Sequence, residues 1–410
     1  MIAISSTVAT MAIANSAPTP GGQRSRIDGI DLLRGLAILY VLLLHVNIRL
    51  VIAHVPYTRG LPKQLVSSLV WNGQNGVQMF FAISGFLITS ISLRRWGSLG
   101  RINLRAFYRL RFARIAPLLL LLLLVLSILH SAGVSHYVIP QERSSLPRAI
   151  FSALTFHLNW LEARHGYLPG NWDVLWSLSI EEMFYLFFPI ACLLSGDKKR
   201  FVALLVIFVA LGPIARTYWT HGNEIWEEKS YLGGMDAIAM GCLTALLVSR
   251  MAFSRRALRT MAACGAAVLI FCLCFAQQAY QWRVDRYGLF MSLVALGTCL
   301  VIAVSTQTKW KSPRILAPLL KLGQYSYEIY MTHMFAVFAL FDLFVYLSKA
   351  MRLVVPLFLA AILVSAVLGA IVAHTYSEPM NRILRSRAKH PVDQGRPNGS
   401  EKIEAAAASQ

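Results

Sequence analysis

Charged residues are scarce in this sequence, and acidic residues are the scarcest. Only 14% of the 410 residues are charged, and Asp and Glu number 19 against 39 Lys and Arg, which leaves a net charge of +20. A soluble domain carries about 25% charged residues. Hydrophobic residues make up 56% of the chain instead. The composition excludes an ordinary soluble protein and predicts an integral membrane protein, in which basic loops, not a nucleic-acid partner, account for the positive charge.

Motifs for several kinds of cofactor are also missing. The sequence has no Walker loop, no GxGxxG at a strand–helix turn and no HExxH motif. Its six cysteines show neither metal-ligand nor disulfide spacing, and small packing residues are the interpretation they favour. They are Cys192, Cys242, Cys264, Cys272, Cys274 and Cys299. We therefore expect no metal site and no permanently bound cofactor.

Hydrophobic windows predict an all-α fold, a polytopic transmembrane helical bundle of about ten spans. The windows are residues 32–52, 75–93, 115–132, 173–195, 201–218, 231–249, 257–276, 287–305, 319–345 and 353–376. A further apolar piece, residues 149–161, is too short to span comfortably. If it crossed, the basic cluster at residues 198–200 and every later one would lie outside. The distribution of Lys and Arg therefore favours ten spans with both termini cytoplasmic.

The same pattern divides the chain into three parts. Residues 27–382 form the predicted transmembrane domain. Residues 1–26 and the polar, Ala-rich residues 383–410 show no periodic core, so we expect an N-terminal and a cytoplasmic C-terminal tail that are both disordered.

The first predicted span contains two ionisable residues, Arg34 and His45. They are eleven positions apart, so a helix places them on one face, separated by roughly 16 Å along its axis. Ionisable groups at membrane depth are costly, which makes both candidates for function. A snorkelling anchor for Arg34 and a hydrogen-bonded neutral histidine for His45 are the structural alternatives.

Three further polar residues fall inside predicted spans. Counted from the predicted outer ends, His45, Ser84 and Glu181 lie at similar depths of roughly 10 to 14 Å, and His333 lies near mid-membrane. A histidine beside a carboxylate fits a general base, and it equally fits a proton relay. Tyr185 follows Glu181 by one turn on the same face. Close helix packing remains an alternative for Ser84, and a hydrogen bond within the bundle for Glu181.

Two arginines stand at the predicted cytoplasmic start of the third span. Arg111 and Arg114 are one helical turn apart in FYRLRFARIAP, so their guanidinium groups can share a phosphate group. A topology signal requires only positive charge and is the alternative. That alternative accounts less well for arginines that share one helix face at a helix start.

Taken together, these segments resemble the acyltransferase 3 family, polytopic membrane enzymes that O-acylate carbohydrates. Arg34 and His45 match its pattern of an arginine, ten residues and a histidine, and Arg111 and Arg114 match its arginine pair. FFAISGFLIT matches its second helix, and WSLSIEEMFYLFFP matches its Trp-Ser-Leu-x-x-Glu-x-x-Phe-Tyr signature. LGQYSYEIYMTH and the late YSEP match its closing segments, so the resemblance covers roughly residues 27–382.

The resemblance implies transfer of an acyl group, usually acetyl, from cytoplasmic acyl-CoA to a hydroxyl of a carbohydrate or glycoconjugate across the bacterial inner membrane. His45 would be the base or a transient acyl carrier, and Glu181 would orient it or stabilise its cation. Arg34, Arg111 and Arg114 would bind the CoA co-substrate. The supporting residues would be Ser84, Tyr185 and His333.

Two other functions remain open at this stage. A proton-coupled exporter of a lipid-linked sugar or small metabolite would use the same buried His and Glu without CoA. A non-catalytic scaffold subunit is disfavoured by the number of intramembrane ionisable residues. Some members of the family carry a periplasmic SGNH-type domain after the last helix; only a short polar tail follows here, so we expect no second catalytic domain.

Overall fold

The computed structural model describes residues 27–284, 287–308 and 310–386, and this part of the chain is helical, without a β-strand. The predicted tail at residues 1–26 lies outside the described residues, as does the part of the C-terminal tail after residue 386. Ten segments are long and apolar enough to cross a membrane, which confirms the predicted number of spans by length and composition. Which side the termini face stays a prediction.

The ten segments are built on ten long helices. These are α1 (Asp28–Ile52), α3 (Gly73–Trp96), α4 (Leu104–Ser131), α8 (Trp176–Leu194), α9 (Lys198–Thr217), α11 (Tyr231–Val248), α12 (Arg255–Cys274), α14 (Leu289–Gln307), α16 (Ser326–Tyr346) and α17 (Val354–Val372). Short helices join them: α2 (Lys63–Val70), α5 (Leu146–Leu154), α6 (Leu158–His165), α7 (Gly170–Asp173), α10 (Glu224–Lys229), α13 (Ala276–Gln281), α15 (Ala317–Gln324) and α18 (Glu378–Ser386).

Two of these short helices correspond to the ambiguous apolar piece at residues 149–161. The nine residues of α5 extend only about 13 Å, and α6 is shorter still, so neither crosses a bilayer alone. At the other end of the chain, α18 continues to Ser386, so the first four residues of the predicted tail, residues 383–386, are helical.

Glycines allow the helices around α3 to approach closely. A β-carbon added at Gly85 would lie 1.9 Å from the carbonyl oxygen of Ile238 in α11, and one at Gly241 would lie 2.0 Å from the carbonyl oxygen of Ala82. Small residues are what lets helices in membranes pack backbone against backbone. This contact places α3 directly against α11. Ser84, the residue before Gly85, therefore points toward other helices.

The cysteines are mostly packing residues, as predicted. Cys192, Cys242, Cys272 and Cys299 are buried in the apolar core. Cys274 is half-buried, and Cys264 departs from the prediction because its face of α12 is turned outward.

A buried ion pair joins four helices away from the first span. Arg216 in α9 donates to Asp236 in α11 at 2.7 Å and to Ser292 in α14 at 2.7 Å. Ser292 and Gln78 of α3 also donate to the Asp236 carboxylate, at 2.6 and 3.1 Å. Arg216 further donates to backbone carbonyls of residues 233 and 288, so this buried pair has its hydrogen-bonding groups satisfied.

Candidate functional site

A cavity of about 490 Å³ opens between α1, α3, α4, α8, α16 and the C-terminal end of the bundle. Its walls carry an unusual number of charged side chains for a membrane domain. The arginines are Arg34, Arg95, Arg111, Arg114 and Arg385, and the carboxylates are Glu181, Glu182, Glu328 and Glu378. Intramembrane ionisable groups face cavities of this kind because lipid cannot solvate them.

The predicted arginine pair lines this cavity. The Arg114 guanidinium donates to the carboxylate of Glu328 at 3.0 Å and lies over the Tyr327 ring, 4.7 Å from its centroid. The Arg111 guanidinium lies 4.3 Å from the centroid of the Tyr185 ring. Stacking and pairing hold both planar groups at defined angles, which a topology signal would not need.

Arg34 lies on the same cavity, although it comes from a different helix. Its Nε donates to the hydroxyl of Ser326 at 3.1 Å, at the start of α16. The side chain points inward and is not a snorkelling anchor at the membrane surface. The three arginines predicted to act together therefore share one cavity.

Ser84, Glu181 and Tyr185 form a hydrogen-bonded cluster on the cavity wall. The Ser84 hydroxyl donates to the Glu181 carboxylate and touches the Tyr185 hydroxyl, and Tyr185 donates to the same carboxylate oxygen at 2.5 Å. The close packing that sequence reasoning assigned to Ser84 belongs to Gly85 beside it. Ser84 faces the cavity instead.

His45 pairs with the second predicted histidine, His333. The two ring centroids are 4.8 Å apart, and His333 Nε2 lies 3.4 Å from His45 Nδ1. His45 Nδ1 also lies 2.8 Å from the Val41 carbonyl oxygen, which can only accept, so Nδ1 carries the proton. His333 Nδ1 is fixed in the same way by the Tyr330 carbonyl at 2.7 Å. Neutral His45 therefore keeps a free lone pair on Nε2, the nitrogen that a general base requires.

The polar residues occupy two levels and not the single level expected from counting residues. Arg34 contacts Ser326, whereas His45 contacts His333, which lies seven residues further along α16 and so about 10 Å deeper. Glu181 belongs to the Arg34 level, where its charge acts on that arginine. The described hydrogen bonds of His45 go to Val41 and His333, so the expected contact between Glu181 and His45 is not formed.

A different carboxylate, that of Asp173, acts on His45 through its charge. The charges of Asp173 in α7 and Lys229 at the end of α10 both reach the imidazole. Lys229 pairs with Asp173 and, at 2.9 Å, with Glu162 in α6. Burial and the neighbouring Asp173 charge raise the pKa of the Glu162 carboxyl, and the Lys229 ammonium opposes that rise. This cluster was missed in the sequence because its members come from three short helices at or beyond the ends of the apolar windows.

Three residues on the cavity wall were not among the site residues predicted from the sequence. Glu328 lies in an apolar segment, and that position alone marks it as a candidate. Glu182, next to Glu181 on α8, is buried and lines the cavity. Arg95, near the end of α3, also lines the cavity.

The fold and site together define a multi-pass membrane protein with a charged cavity and a histidine pair next to the cavity residue Tyr330. A family model described as an acyltransferase domain matches residues 27–375, and the chain belongs to this acyltransferase family, as its motifs indicated. Among its relatives is the O-acetyltransferase OatA of Staphylococcus aureus. In strain NCTC 8325 / PS 47 and in strain COL, OatA is 25% identical over 335 residues, which cover 75% of this chain and 50% of the relative.

The chain spans about half the length of the curated relatives that it matches. No solved structure matched the chain.

Proposed function

We propose that the protein is an O-acyltransferase of the bacterial inner membrane, which transfers an acyl group, acetyl in the simplest case, from cytoplasmic acyl-CoA to a hydroxyl of a carbohydrate or glycoconjugate. The observation that carries the proposal is an arginine-lined cavity whose wall includes Tyr330, because the Tyr330 ring lies 5.9 Å from the ring of His333, the contact partner of His45. Family membership and the O-acetyltransferase relatives support the reaction type.

In this mechanism the arginines bind the phosphates of CoA. Arg111 and Arg114 present stacked and paired guanidinium groups, and Arg34 extends the positive charge into the bundle. The acyl-bearing arm then points away from the cavity mouth, past the Ser84–Glu181–Tyr185 cluster and toward the histidine pair.

His45 performs the proton transfer. The acceptor hydroxyl attacks the thioester carbonyl while His45 Nε2 takes its proton, and the proton then passes to the departing CoA thiolate. The Val41 carbonyl, the ring of His333 and the charge of Asp173 stabilise the transient imidazolium. Glu181 lies on the wall of the cavity that would hold acyl-CoA and not beside His45. The pairing of Glu181 with His45 that the sequence suggested is therefore revised.

The first test measures release of free CoA from acetyl-CoA by the purified protein in lipid vesicles. General-base catalysis contributes roughly 10²- to 10⁴-fold, so His45→Ala should lose at least a hundredfold of the wild-type rate. His165→Ala is the control, because that histidine contacts Arg148 in an exposed pair. Transfer that survives His45→Ala would refute this role for His45.

The second test measures binding of acetyl-CoA at several salt concentrations. Loss of a hydrogen bond to a charged group costs about 1.5–3 kcal/mol, so the double variant Arg111→Ala/Arg114→Ala should bind more than tenfold more weakly, with a shallower salt dependence. Arg94→Ala removes a neighbouring charge outside the cavity and should bind normally. A proton-coupled exporter needs no CoA, so absence of both binding and turnover in the wild type would favour transport.

A further inference from the structure

Glu182 carries a buried carboxyl group on the wall of the cavity. The residue is only 8% exposed, and its Oε1 is enclosed yet has no hydrogen-bonding partner among the described residues. Leaving such an atom unsatisfied is unfavourable, and more so for a charged group. Buried polar atoms are otherwise almost always paired, so an orphan on a cavity wall indicates a group that a ligand satisfies.

The neighbours of Glu182 do not explain its burial. The adjacent Glu181 has its own partners in Ser84 and Tyr185. Arg111 is close enough for its charge to act on Glu182, but the described contact of its guanidinium is the Tyr185 ring. Glu182 is therefore neither a member of the neighbouring cluster nor half of an ion pair.

The chemistry of the cavity changes in a fixed order along its length. Arg111 stacks on Tyr185, which lies nearest the arginine-rich mouth. The two carboxyl groups, Glu181 and Glu182, come next along α8. One turn further, the hydroxyl groups of Ser177 and Tyr330 lie 2.7 Å apart, and His333 follows three residues after Tyr330 on α16. Along α8 a cation, carboxyl groups and hydroxyl groups thus succeed one another, and the imidazoles lie beyond Tyr330 on α16.

Acyl-CoA has a complementary order of groups. Its phosphates are anionic, its pantetheine arm carries amide groups and a hydroxyl, and its thioester stands at the far end. We propose that Glu182 binds the pantetheine arm, with its carboxyl group hydrogen-bonded to an amide or hydroxyl of that arm. The inference rests on the proposed function, because it requires acyl-CoA as the donor.

The charges on acyl-CoA favour the pantetheine arm, and not the phosphates, as the part that Glu182 binds. A carboxyl group offers a phosphate no positive charge and repels it when ionised, whereas an amide N–H or a hydroxyl satisfies the orphan oxygen. Glu182 would therefore select for the arm and not for the nucleotide, while the arginines nearer the mouth bind the nucleotide. The same contact would help to hold the thioester at the depth of the histidine pair.

The experiment compares two probes, acetyl-CoA and adenosine 3′,5′-bisphosphate, which keeps the nucleotide but lacks the arm. Leaving the amide or hydroxyl group of the arm without its partner corresponds to roughly fivefold or more in affinity. Glu182→Leu should weaken acetyl-CoA binding by at least that factor and change bisphosphate binding less than about twofold. Glu182→Gln keeps a donor and an acceptor and should restore most of the acetyl-CoA affinity.

Two controls separate binding from folding. Glu378→Leu alters another glutamate of the same cavity, one that already contacts Arg382, and should leave the ratio of the two affinities unchanged. Arg111→Ala/Arg114→Ala should weaken both probes. The unfolding temperature of each variant in detergent checks that it is folded, and Glu182→Gln carries the comparison if Glu182→Leu is not.

The outcomes distinguish this proposal from the one on which it rests. If wild-type protein binds neither probe, the acyl-CoA donor itself is wrong. If wild-type protein binds both, equal weakening of both probes by Glu182→Leu, or no weakening, overturns the assignment to the arm. Failure of Glu182→Gln to restore binding would also overturn it, because the restored hydrogen bond is what the proposal requires.

Discussion

Removing both members of the buried Arg216–Asp236 pair should destabilise the bundle less than the sum of the two single removals. The Asp236 side chain is fully enclosed and that of Arg216 is 7% exposed. Asp236→Leu would leave the guanidinium buried without its carboxylate, and Arg216→Met would leave the carboxylate without its cation. Breaking a buried pair in this way costs about 3–5 kcal/mol, because the remaining charge stays uncompensated.

The double variant Arg216→Met/Asp236→Leu should recover part of this loss. It removes both charges, but it still deprives Ser292 and Gln78 of a partner, at about 1–3 kcal/mol for each group left unsatisfied. We therefore expect the double variant to be less stable than wild type, and more stable than the sum of the single variants implies by at least about 2 kcal/mol.

The assay is a double-mutant cycle on unfolding in mixed micelles, with the free energy of unfolding measured for all four proteins under identical conditions. The cycle isolates the pairwise interaction from the effects of each residue on its other neighbours. Additive losses in the two single variants would refute the reasoning, because they would mean that the two charges do not stabilise each other across α9 and α11.

Two further predictions concern packing and pH. Gly85→Ala should lower the free energy of unfolding by at least about 1–3 kcal/mol, because the added β-carbon would clash with the Ile238 carbonyl. Gly100→Ala is the control: its β-carbon meets nothing within 4 Å, so the free energy of unfolding should change by less than about 0.5 kcal/mol in the same assay. Burial raises the pKa of Tyr57 to about 12, so the folded protein favours the neutral phenol, and this contribution to stability should be lost as the pH rises from about 10 to 12. Tyr57→Phe should remove that part of the pH dependence. It should also lower stability at all pH values, because the hydrogen bond to Asn47 is lost. If the free energy of unfolding fell as steeply with alkaline pH in the variant as in the wild type, the assignment to Tyr57 would be wrong.

Much of the site could be predicted because its residues carry a local signal. Arg34, His45 and His333 are ionisable groups in apolar runs, and the cost of placing them in lipid identifies each one without knowledge of its neighbours. Arg111 and Arg114 share a helix face through their spacing alone. These residues were found in the sequence, and the structure brings the three arginines to one cavity and the two histidines into contact.

The partners of these residues could not be predicted in the same way. His45 and His333 are 288 positions apart, and Ser84 and Glu181 are 97 apart, so helix packing alone decides which side chains meet. Depth counted from a helix end assumes that every helix starts at the same plane and runs upright. Because Glu181 and Ser84 lie at the level of Arg34, whereas His45 lies eleven residues further along α1, that assumption merged two separate levels.

The sequence by itself determined the all-helical, membrane-spanning architecture, because apolar runs of this length must satisfy their backbone groups internally and only helices do so within one segment. It also determined which ionisable residues are costly enough to matter. Tertiary structure alone decided that Gly85 packs while Ser84 faces the cavity, and that Glu182 is buried against that cavity and does not face lipid. The physical reason is that helical periodicity gives the direction of a side chain around its own axis, whereas what lies in that direction depends on the packing of the other helices.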